Sequence, residues 1–318
     1  MLRPKKHGEQ RAPRKKVLSR GGGGKPPPAC HIWPHPDDGN KERGEMPLTA
    51  IVDEYVDSRD LCHNYRRHLM RTAERMSASG LTSVADLTPQ RVTRWLDSLP
   101  CSKTTRANYR RQALTIIRAA LGPGATYFSE GVRRVKHSLP PPVAWTQEEL
   151  SRLLHHARHL PGNLQSGCPV RVFFTAWLLT GYSCGLRFSD LLNLRSSQIR
   201  EGRLYTVQSK TGDPLVQVLP HDCVKALSEI IELSPDGTVF RWALAEKWLR
   251  VRWDRLVKEA KVTGTCKWMR RTGATWVEAT APGQASRFLG HRSPELAMKH
   301  YVDRSLLPNS CPSPPPIQ

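Results

Sequence analysis

The stretch that decides the interpretation of this chain reads Lys267-Trp-Met-Arg-Arg-Thr-Gly-Ala-Thr275, and it is followed by Leu289-Gly-His291 and by Tyr301. An arginine, an imidazole and a phenol thus occur in fixed order near the end of the sequence. Upstream, Arg187 lies in the segment Cys-Gly-Leu-Arg-Phe-Ser-Asp-Leu-Leu, and Lys210 lies between two predicted strands. Guanidinium and ammonium groups can hold and neutralise a phosphodiester, while a tyrosine hydroxyl can attack it. The set therefore favours cleavage of DNA strands through a covalent phosphotyrosine.

The charge balance of the chain indicates a polyanionic partner. Among 318 residues, 49 Lys and Arg stand against 28 Asp and Glu, which gives a formal net charge of +21 at pH 7. Such an excess predicts association with nucleic acid, here double-stranded DNA. The alternative is a basic solubilising surface or a single basic tail, but basic residues continue through the whole chain.

The sequence offers little support for a metal, a cofactor or a disulfide framework. Its 8 Cys are scattered without a Cys-x-x-Cys pair, and it has no Gly-rich phosphate loop. Cys30, His31 and His35 lie close together in a Pro-rich segment, which is a weak case for a metal site. No apolar run approaches the ~20 residues of a membrane span, and no signal peptide is recognisable. We expect a cytoplasmic protein that uses neither metal nor cofactor.

Four regions are predicted along the chain, two of them folded. Residues 1–46 are rich in Lys, Arg, Gly and Pro and lack the apolar residues of a core, which predicts a disordered basic arm. Residues 47–138 carry four helical apolar stripes and predict a small helical domain. Residues 139–308 begin with a proline linker and predict a second domain. Residues 309–318 form a Pro-rich tail that is expected to be disordered.

Helix caps and apolar spacing place the elements of the first domain. Thr88 before Pro89 predicts one helix start, and Ser102 predicts another. The helix after Ser102 has two expected faces. Its inward residues are Tyr109, Ala113, Ile116 and Ile117, and its outward residues are Lys103, Arg106, Arg110 and Arg111.

The second domain is predicted to be mainly helical with a small β-sheet. Thr146 and Glu149 form a capping box, and the apolar run from Arg171 to Thr180 predicts a buried helix. Strands are predicted at Leu204–Gln208 and Leu215–Leu219, joined as a hairpin. Further helices are predicted at Leu227–Leu233, Ala243–Ala260, Arg271–Ala279 and Pro294–Tyr301.

Taken singly, the candidate site residues also have ordinary structural explanations. Arg187 follows a turn at Gly185 and could simply pair with Asp190, while Ser189 is a plausible helix cap. A lysine at a hairpin tip is usually solvated, and a lone tyrosine at a helix end usually belongs to a core. Arg270 is expected near a helix start, where backbone N–H groups favour an anion. Only the combination carries the functional interpretation.

In that combination the chain resembles the tyrosine recombinases, the phage-integrase family. The resemblance extends over roughly residues 48–305 and rests on four segments in the family's order. They are Thr180-Gly-Tyr-Ser-Cys-Gly-Leu-Arg-Phe-Ser-Asp-Leu-Leu-Asn-Leu194, Gln208-Ser-Lys-Thr-Gly212, Met269-Arg-Arg-Thr-Gly-Ala-Thr275 and Leu289-Gly-His-Arg-Ser-Pro294. The resemblance implies a helical core-binding domain of SAM-like type and a catalytic domain that together clamp DNA.

The resemblance also implies a role for each residue. Tyr301 would attack the scissile phosphorus, leaving a 3′-phosphotyrosyl link and a free 5′-hydroxyl. Arg187 and Arg270 would stabilise the charge on the transition state, and His291 would hydrogen-bond the phosphate. Lys210 would protonate the departing 5′-oxygen. Assembly as a homotetramer on two DNA sites is implied, with an accessory directionality factor as a further possible partner.

Two features depart from the family pattern. Lys267 stands where many members carry histidine, and a lysine with an ordinary pKa near ~10.4 is a poor base at neutral pH. We therefore assign Lys267 an electrostatic or proton-donating role. The sequence after Tyr301 is also short, so subunit coupling would depend on Leu306 and Leu307 or on another surface.

Two other functions remain open at this point. A type IB topoisomerase would use the same tyrosine chemistry to relax supercoiled DNA as a monomer. A catalytically inactive DNA-binding relative would bind DNA without cleaving it, and Lys267 and the short end are its main support.

Overall fold

The computed structural model describes residues 44–308. Most of the predicted basic arm, the Pro-rich tail and the group of Cys30, His31 and His35 lie outside the described residues. The chain divides into two compact units between Leu139 and Pro140. No helix within residues 44–308 is long and apolar enough to cross a membrane.

Between residues 48 and 139 the first unit contains five α-helices around one apolar core. The fully buried side chains of Leu48, Leu69 and Ile117 come from three different helices of this core. The helices are α1 (Leu48–Asp57), α2 (His63–Ser77), α3 (Pro89–Ser98), α4 (Lys103–Leu121) and α5 (Thr126–Gly131).

Both predicted caps of the first unit are confirmed. Thr88 accepts a hydrogen bond from the backbone N–H of Arg91 at 3.2 Å, and Ser102 accepts one from Thr105 at 3.2 Å. Each cap satisfies a backbone donor that the helix itself leaves free, so the start of the helix is fixed locally.

The first unit differs from the prediction in two places. The pattern predicts four helices, whereas α5 is a fifth; it has a single buried side chain, Phe128, too few to show a helical period. Arg110 was expected to face outward but donates to the carbonyls of Val132 at 2.8 Å and Ser129 at 3.2 Å. Arg110 thus satisfies carbonyl groups at the end of α5, and its partial burial lowers its pKa.

The second unit is mainly helical with one small sheet, as predicted. Trp145, Phe173, Trp177 and Trp253 are fully buried in its core. The capping box at Thr146 is confirmed by reciprocal hydrogen bonds with Glu149 at 3.0 and 3.2 Å. The helices are α6 (Gln147–Arg158), α7 (Val170–Cys184), α8 (Phe188–Leu192), α9 (His221–Glu232), α10 (Glu246–Glu259), α11 (Cys266–Thr280), α12 (Ala285–Leu289) and α13 (Pro294–His300).

The sheet confirms the predicted hairpin, with each strand beginning one residue earlier. Strands β2 (Arg203–Val207) and β3 (Pro214–Val218) pair antiparallel, and a short β1 (Ile199–Arg200) pairs with the other edge of β2. Gln208 does not extend β2 because its N–H bonds to Asp213 O at 2.9 Å and closes the turn. The turn that carries Lys210 therefore spans residues 208–213.

Helix α7 ends at a glycine that the following chain requires. Gly185 adopts φ 57°, a left-handed conformation that ends many helices and that favours glycine. A Cβ at this position would also overlap the ring of Phe288. The turn directs the chain through Leu186, which is buried, to Arg187 at the start of α8.

Close packing of α7 against α11 depends on a second glycine, Gly273. A Cβ added to Gly273 would lie well inside van der Waals contact of the Tyr182 carbonyl oxygen and 2.9 Å from Phe288 Cζ. The backbone oxygen cannot move away without displacing α7. The glycine in the Met269–Thr275 segment thus sets the spacing between α11, which carries Arg270, and α7, whose end leads through Gly185 to Arg187.

Replacing Gly273 with alanine is expected to lower the free energy of unfolding by about 3 kcal/mol, because overpacking a rigid site strains the backbone. Chemical denaturation of the purified variant measures this change. Gly44→Ala is the control, since a Cβ there meets nothing within 4 Å. A Gly273→Ala variant as stable as Gly44→Ala would contradict this packing argument.

Candidate active site

One cavity of the second unit gathers the residues that the sequence singled out. It has a volume of 640 Å³. Its lining residues are Arg187, Lys210, Thr211, Asp213, Lys267, Gly290, His291, Arg292, Leu296, His300 and Tyr301. The sixth candidate, Arg270, lies directly beneath, with its guanidinium carbon 5.0 Å from the centroid of the Tyr301 ring. The fold therefore brings together all six candidates from five separate segments.

Arg270 is the most buried of the six, with an exposed fraction of 4%. The sequence predicts that Arg270 lies near a helix start, beside free backbone N–H groups. In the structure it is the fifth residue of α11 and therefore lies beyond the first turn. Its Nη1 donates to the carbonyl of Gly185, and its Nη2 donates to Leu289 O at 3.0 Å and to His291 Nε2 at 3.0 Å. Burial lowers the pKa of Arg270 to about 10, so it remains a cation at neutral pH.

The bonds of Arg270 leave part of the guanidinium available. A guanidinium has five N–H donors in a fixed plane, and the three contacts occupy three of them. The Nε atom has no hydrogen-bond partner among the described residues. Arg270 thus holds the chain segments at Gly185 and Leu289 together and still has donors for an anion.

Arg187 is held between two polar partners. It occupies the N-cap position of α8, so the expectation that Ser189 caps this helix is wrong; Ser189 lies within the helix. Arg187 Nη1 donates to Gln208 Oε1 and lies 3.9 Å from Asp190 Oδ2. The predicted ion pair with Asp190 is therefore present, but its N–O distance is long for an ion pair, and the shorter hydrogen bond of Arg187 is the one to the Gln208 amide.

Asp190 connects α8 to the turn that carries Lys210. Its side chain accepts hydrogen bonds from the backbone N–H of Ser209 at 3.3 Å and from the Ser209 hydroxyl. Only 4% of the Asp190 side chain is exposed. Because Ser209 directly precedes Lys210, the carboxylate holds the base of the turn that carries Lys210.

Gln208 is a residue of this site to which the sequence analysis assigned no role. It is 1% exposed, accepts from Arg187 and donates from Nε2 to Leu289 O at 3.1 Å. A Cβ on Gly290 would collide with that same Nε2 atom, and Gly290 has φ 61°. The amide thus connects Arg187 to the turn before His291. Its signal in the sequence is its place at the start of the Gln208–Gly212 segment, a polar residue where the predicted strand ends.

His291 is half-buried beside the two arginines. Because a guanidinium can only donate, His291 Nε2 must accept from Arg270 Nη2, and the proton of the neutral ring lies on Nδ1. Nδ1 has no hydrogen-bond partner among the described residues. Burial, followed by the positive charges of Arg270 and Arg187, lowers the pKa of His291 to about 4.

This lowered pKa predicts a pH dependence of stability. The unfolded chain has the ordinary imidazole pKa of 6.5, so it takes up a proton before the folded protein does as the pH falls. The contribution of neutral His291 is therefore fully present above pH 6.5 and is lost as the pH falls toward 4. We expect unfolding free energies between about pH 4 and 7 to fall less steeply with acidification in His291→Gln than in the wild type.

Nuclear magnetic resonance titration of the His291 ring measures the same effect directly. The ring should remain neutral and Nδ1-protonated down to about pH 5. Addition of a phosphodiester should raise its pKa, because a nearby negative charge favours the imidazolium. A free-state pKa at the ordinary imidazole value would contradict both expectations.

Tyr301 is fixed in position by the residues around it. It follows the last residue of α13, and its N–H donates to Ala297 O at 2.9 Å. Its ring lies 4.9 Å from the His291 ring, centroid to centroid. The next residue, Val302, is fully buried. The backbone therefore cannot rotate freely at the tyrosine.

Asp303 anchors the chain just beyond Tyr301. Its N–H donates to Thr275 Oγ1 of α11 at 2.9 Å, and its Oδ2 accepts from the N–H of Ala144 at 3.0 Å. Trp145, next to Ala144, donates its own N–H to Thr272 Oγ1 at 3.0 Å. The start and the end of the second unit are thus both bonded to the helix that carries Arg270.

The two lysines that line the cavity lie on different elements. Lys210 is exposed on the turn between β2 and β3, and Lys267 Nζ lies 6.0 Å from the centroid of the Tyr301 ring. Across the cavity wall, Arg292 pairs with Asp213 at 2.6 Å. Neither Lys210 nor Lys267 has an ion-pair partner among residues 44–308, so both charges are available to an anion in the cavity.

Comparison with known proteins identifies the fold. No model of a protein family and no curated protein matches this chain. Among solved structures, a dimer of residues 75–356 of lambda integrase bound to a COC′ core site matches with a TM-score of 0.69 and 19% identity, over 85% of this chain and 100% of that one. A lambda integrase tetramer bound to a Holliday junction matches with a TM-score of 0.66 and 19% identity, over 81% of this chain and 78% of that one.

A third structure extends the comparison beyond lambda integrase. The Tn1549 transposon integrase in complex with a circular intermediate DNA matches with a TM-score of 0.61 and 15% identity, over 81% of this chain and 96% of that one. The shared property at such low identity is the backbone fold. The resemblance noted in the sequence is confirmed at this level, and the chain has the fold of the tyrosine recombinases.

Proposed function

We propose that this protein is a site-specific DNA recombinase that breaks and rejoins strands through a covalent link between Tyr301 and a 3′-phosphate. The observation that carries the proposal is the placement of Tyr301 beside two arginines, a histidine and two free lysines around one cavity. The fold, shared with integrases solved on DNA, supports the same function. Each role assigned below is part of this proposal.

The chemistry follows from charges and donors. A phosphodiester in the cavity would accept hydrogen bonds from Arg187 and from the remaining donors of Arg270, which neutralise charge as the pentacoordinate state forms. The Tyr301 oxygen attacks phosphorus, and the bond to the 5′-oxygen breaks. Lys210 gives that oxygen a proton, and Lys267 adds positive charge next to the tyrosine. The phosphotyrosyl bond conserves the energy of the broken bond, so a 5′-hydroxyl can reverse the reaction.

Partners and assembly belong to the same proposal. The net charge of +21 supports duplex DNA as the partner, with affinity that falls as salt rises. The tetrameric state of lambda integrase on a Holliday junction supports a tetramer on two DNA sites here. The clamp arrangement of the two units and an accessory directionality factor stay predictions from the sequence.

Trapping of the covalent intermediate tests the proposal. The purified protein is incubated with nicked half-site duplexes drawn from DNA that flanks its gene, so that the strand after the cleavage point diffuses away. We expect an adduct that survives denaturation and that mass spectrometry maps to the peptide containing Tyr301, with the link on a 3′-phosphate. Salt-sensitive binding without any adduct would instead indicate an inactive DNA-binding protein. Relaxation of supercoiled plasmid by a monomer, without strand exchange, would indicate a topoisomerase.

A further inference from the structure

A tyrosine that attacks phosphorus must lose its proton, and most charged groups around Tyr301 cannot accept it. Arg187, Lys210, Lys267 and Arg292 line the cavity as cations, with Arg270 and Arg271 close to the tyrosine. Protonated guanidinium and ammonium groups have no free lone pair. The possible acceptors among the described lining side chains are therefore Asp213, His291 and His300.

Asp213 is a poor acceptor because it is already paired. Its Oδ1 accepts a hydrogen bond from Arg292 Nη2 at 2.6 Å. That bond holds the pKa of the Asp213 carboxyl below its usual range. A carboxylate stabilised in its charged form in this way is a weak base.

His291 is also unsuited to accept the proton. Its Nε2 lone pair is occupied by Arg270, and its Nδ1 carries the ring hydrogen. Taking a second proton would require breaking the bond to Arg270 and placing a new cation beside two arginines. The pKa of about 4 reflects that cost, with burial as its first cause.

His300, unlike Asp213 and His291, has a ring nitrogen that is free to accept a proton. It is the last residue of α13, directly before Tyr301, and its half-buried side chain lines the same cavity. Its imidazole makes no hydrogen bond to any residue within 44–308, so one ring nitrogen has a free lone pair. Its ring lies close enough to His291 for the two groups to interact electrostatically.

We propose that His300 is the base that accepts the Tyr301 proton during strand cleavage. This inference rests on the proposed recombinase function and deepens it. The O–H bond of Tyr301 breaks and its proton passes to the free nitrogen of His300. The tyrosine oxygen bonds to phosphorus, the bond to the 5′-oxygen breaks, and Lys210 supplies the proton to that oxygen. During rejoining the His300 imidazolium returns its proton to Tyr301. A histidine at position 300 would thus supply the base that Lys267 cannot provide.

Single-turnover cleavage of a half-site duplex by His300→Gln tests the proposal. We expect the rate to fall by about 10²-fold or more, and the pH profile of cleavage to lose the inflection that depends on residue 300. A second substrate carries sulfur in place of the bridging 5′-oxygen, a leaving group that needs no proton. This substrate should restore cleavage by Lys210→Ala but not by His300→Gln.

Lys299→Gln is the matched control, since Lys299 is an exposed neighbour on the same helix and does not line the cavity. It should cleave like the wild type. Added imidazole should rescue His300→Ala, a result that a merely structural role or a misfolded variant would not give. The proposal is overturned if His300→Gln cleaves within about threefold of the wild type with an unchanged pH profile, or if the sulfur substrate rescues it. Absence of cleavage by the wild type itself would instead contradict the proposed function.

Discussion

Replacing Tyr301 with phenylalanine is expected to abolish the covalent protein–DNA adduct and all strand exchange. The variant keeps the ring that packs 4.9 Å from His291 and 5.0 Å from the Arg270 guanidinium, and it loses only the hydroxyl. Because no other tyrosine lines the cavity within the described residues, no neighbouring phenol can replace it. DNA affinity should stay within about twofold of the wild type, since most of it comes from phosphate contacts elsewhere.

The measurement is a denaturing gel of the half-site reaction beside an equilibrium binding titration at several salt concentrations. Tyr205→Phe is the matched control, because Tyr205 lies on the exposed face of β2, outside the cavity. It should form the adduct as the wild type does. An adduct that persists in Tyr301→Phe would show that the nucleophile is a different residue.

Replacing Arg270 with lysine is expected to have the second largest effect, a loss of about 10³-fold in cleavage rate. The charge is kept, but a lysine has one ammonium on a flexible stem and no planar fork. It cannot reach Gly185 O, Leu289 O and His291 Nε2 at once, as the guanidinium does. Two buried carbonyls would lose a donor, so stability should also fall, by about 1–3 kcal/mol.

Cleavage rate and unfolding free energy are measured on the same preparation to separate the two effects. Arg171→Lys is the control, because Arg171 pairs with Glu229 on the exposed side of α7, away from the cavity. That change should leave both quantities within experimental error of the wild type. Cleavage by Arg270→Lys at the rate of the wild type would show that charge alone, without the planar fork, suffices at this position.

The sequence alone determined the features that depend on neighbours a few residues away. Thr88, Ser102 and the Thr146 capping box fix helix starts because each side chain bonds to a backbone N–H within three residues. The alternation of apolar residues predicted both strands of the hairpin, each one residue later in the chain than the structure places it. The mainly helical fold class with a small sheet follows from the same local periods.

The order of Arg187, Lys210, Lys267, Arg270, His291 and Tyr301 could also be read from the sequence, as a pattern of residue types. Their convergence on one cavity could not. It depends on contacts such as Gln208 to Leu289, 81 residues apart, and Ala144 to Asp303, 159 residues apart. No periodicity or cap encodes a contact between residues so distant in the chain.

The tertiary structure also decided what several polar residues do. Arg110 bonds to carbonyl groups at the end of α5 instead of facing solvent. Arg187, and not Ser189, occupies the N-cap position of α8. Gln208 connects Arg187 to the turn before His291 through two hydrogen bonds. A buried polar group must find a partner wherever packing places one, whereas an exposed group does not. The helices, the hairpin and the order of the site residues could therefore be predicted from the sequence. The contacts between those residues depend on which buried polar groups the tertiary structure brings within hydrogen-bond distance.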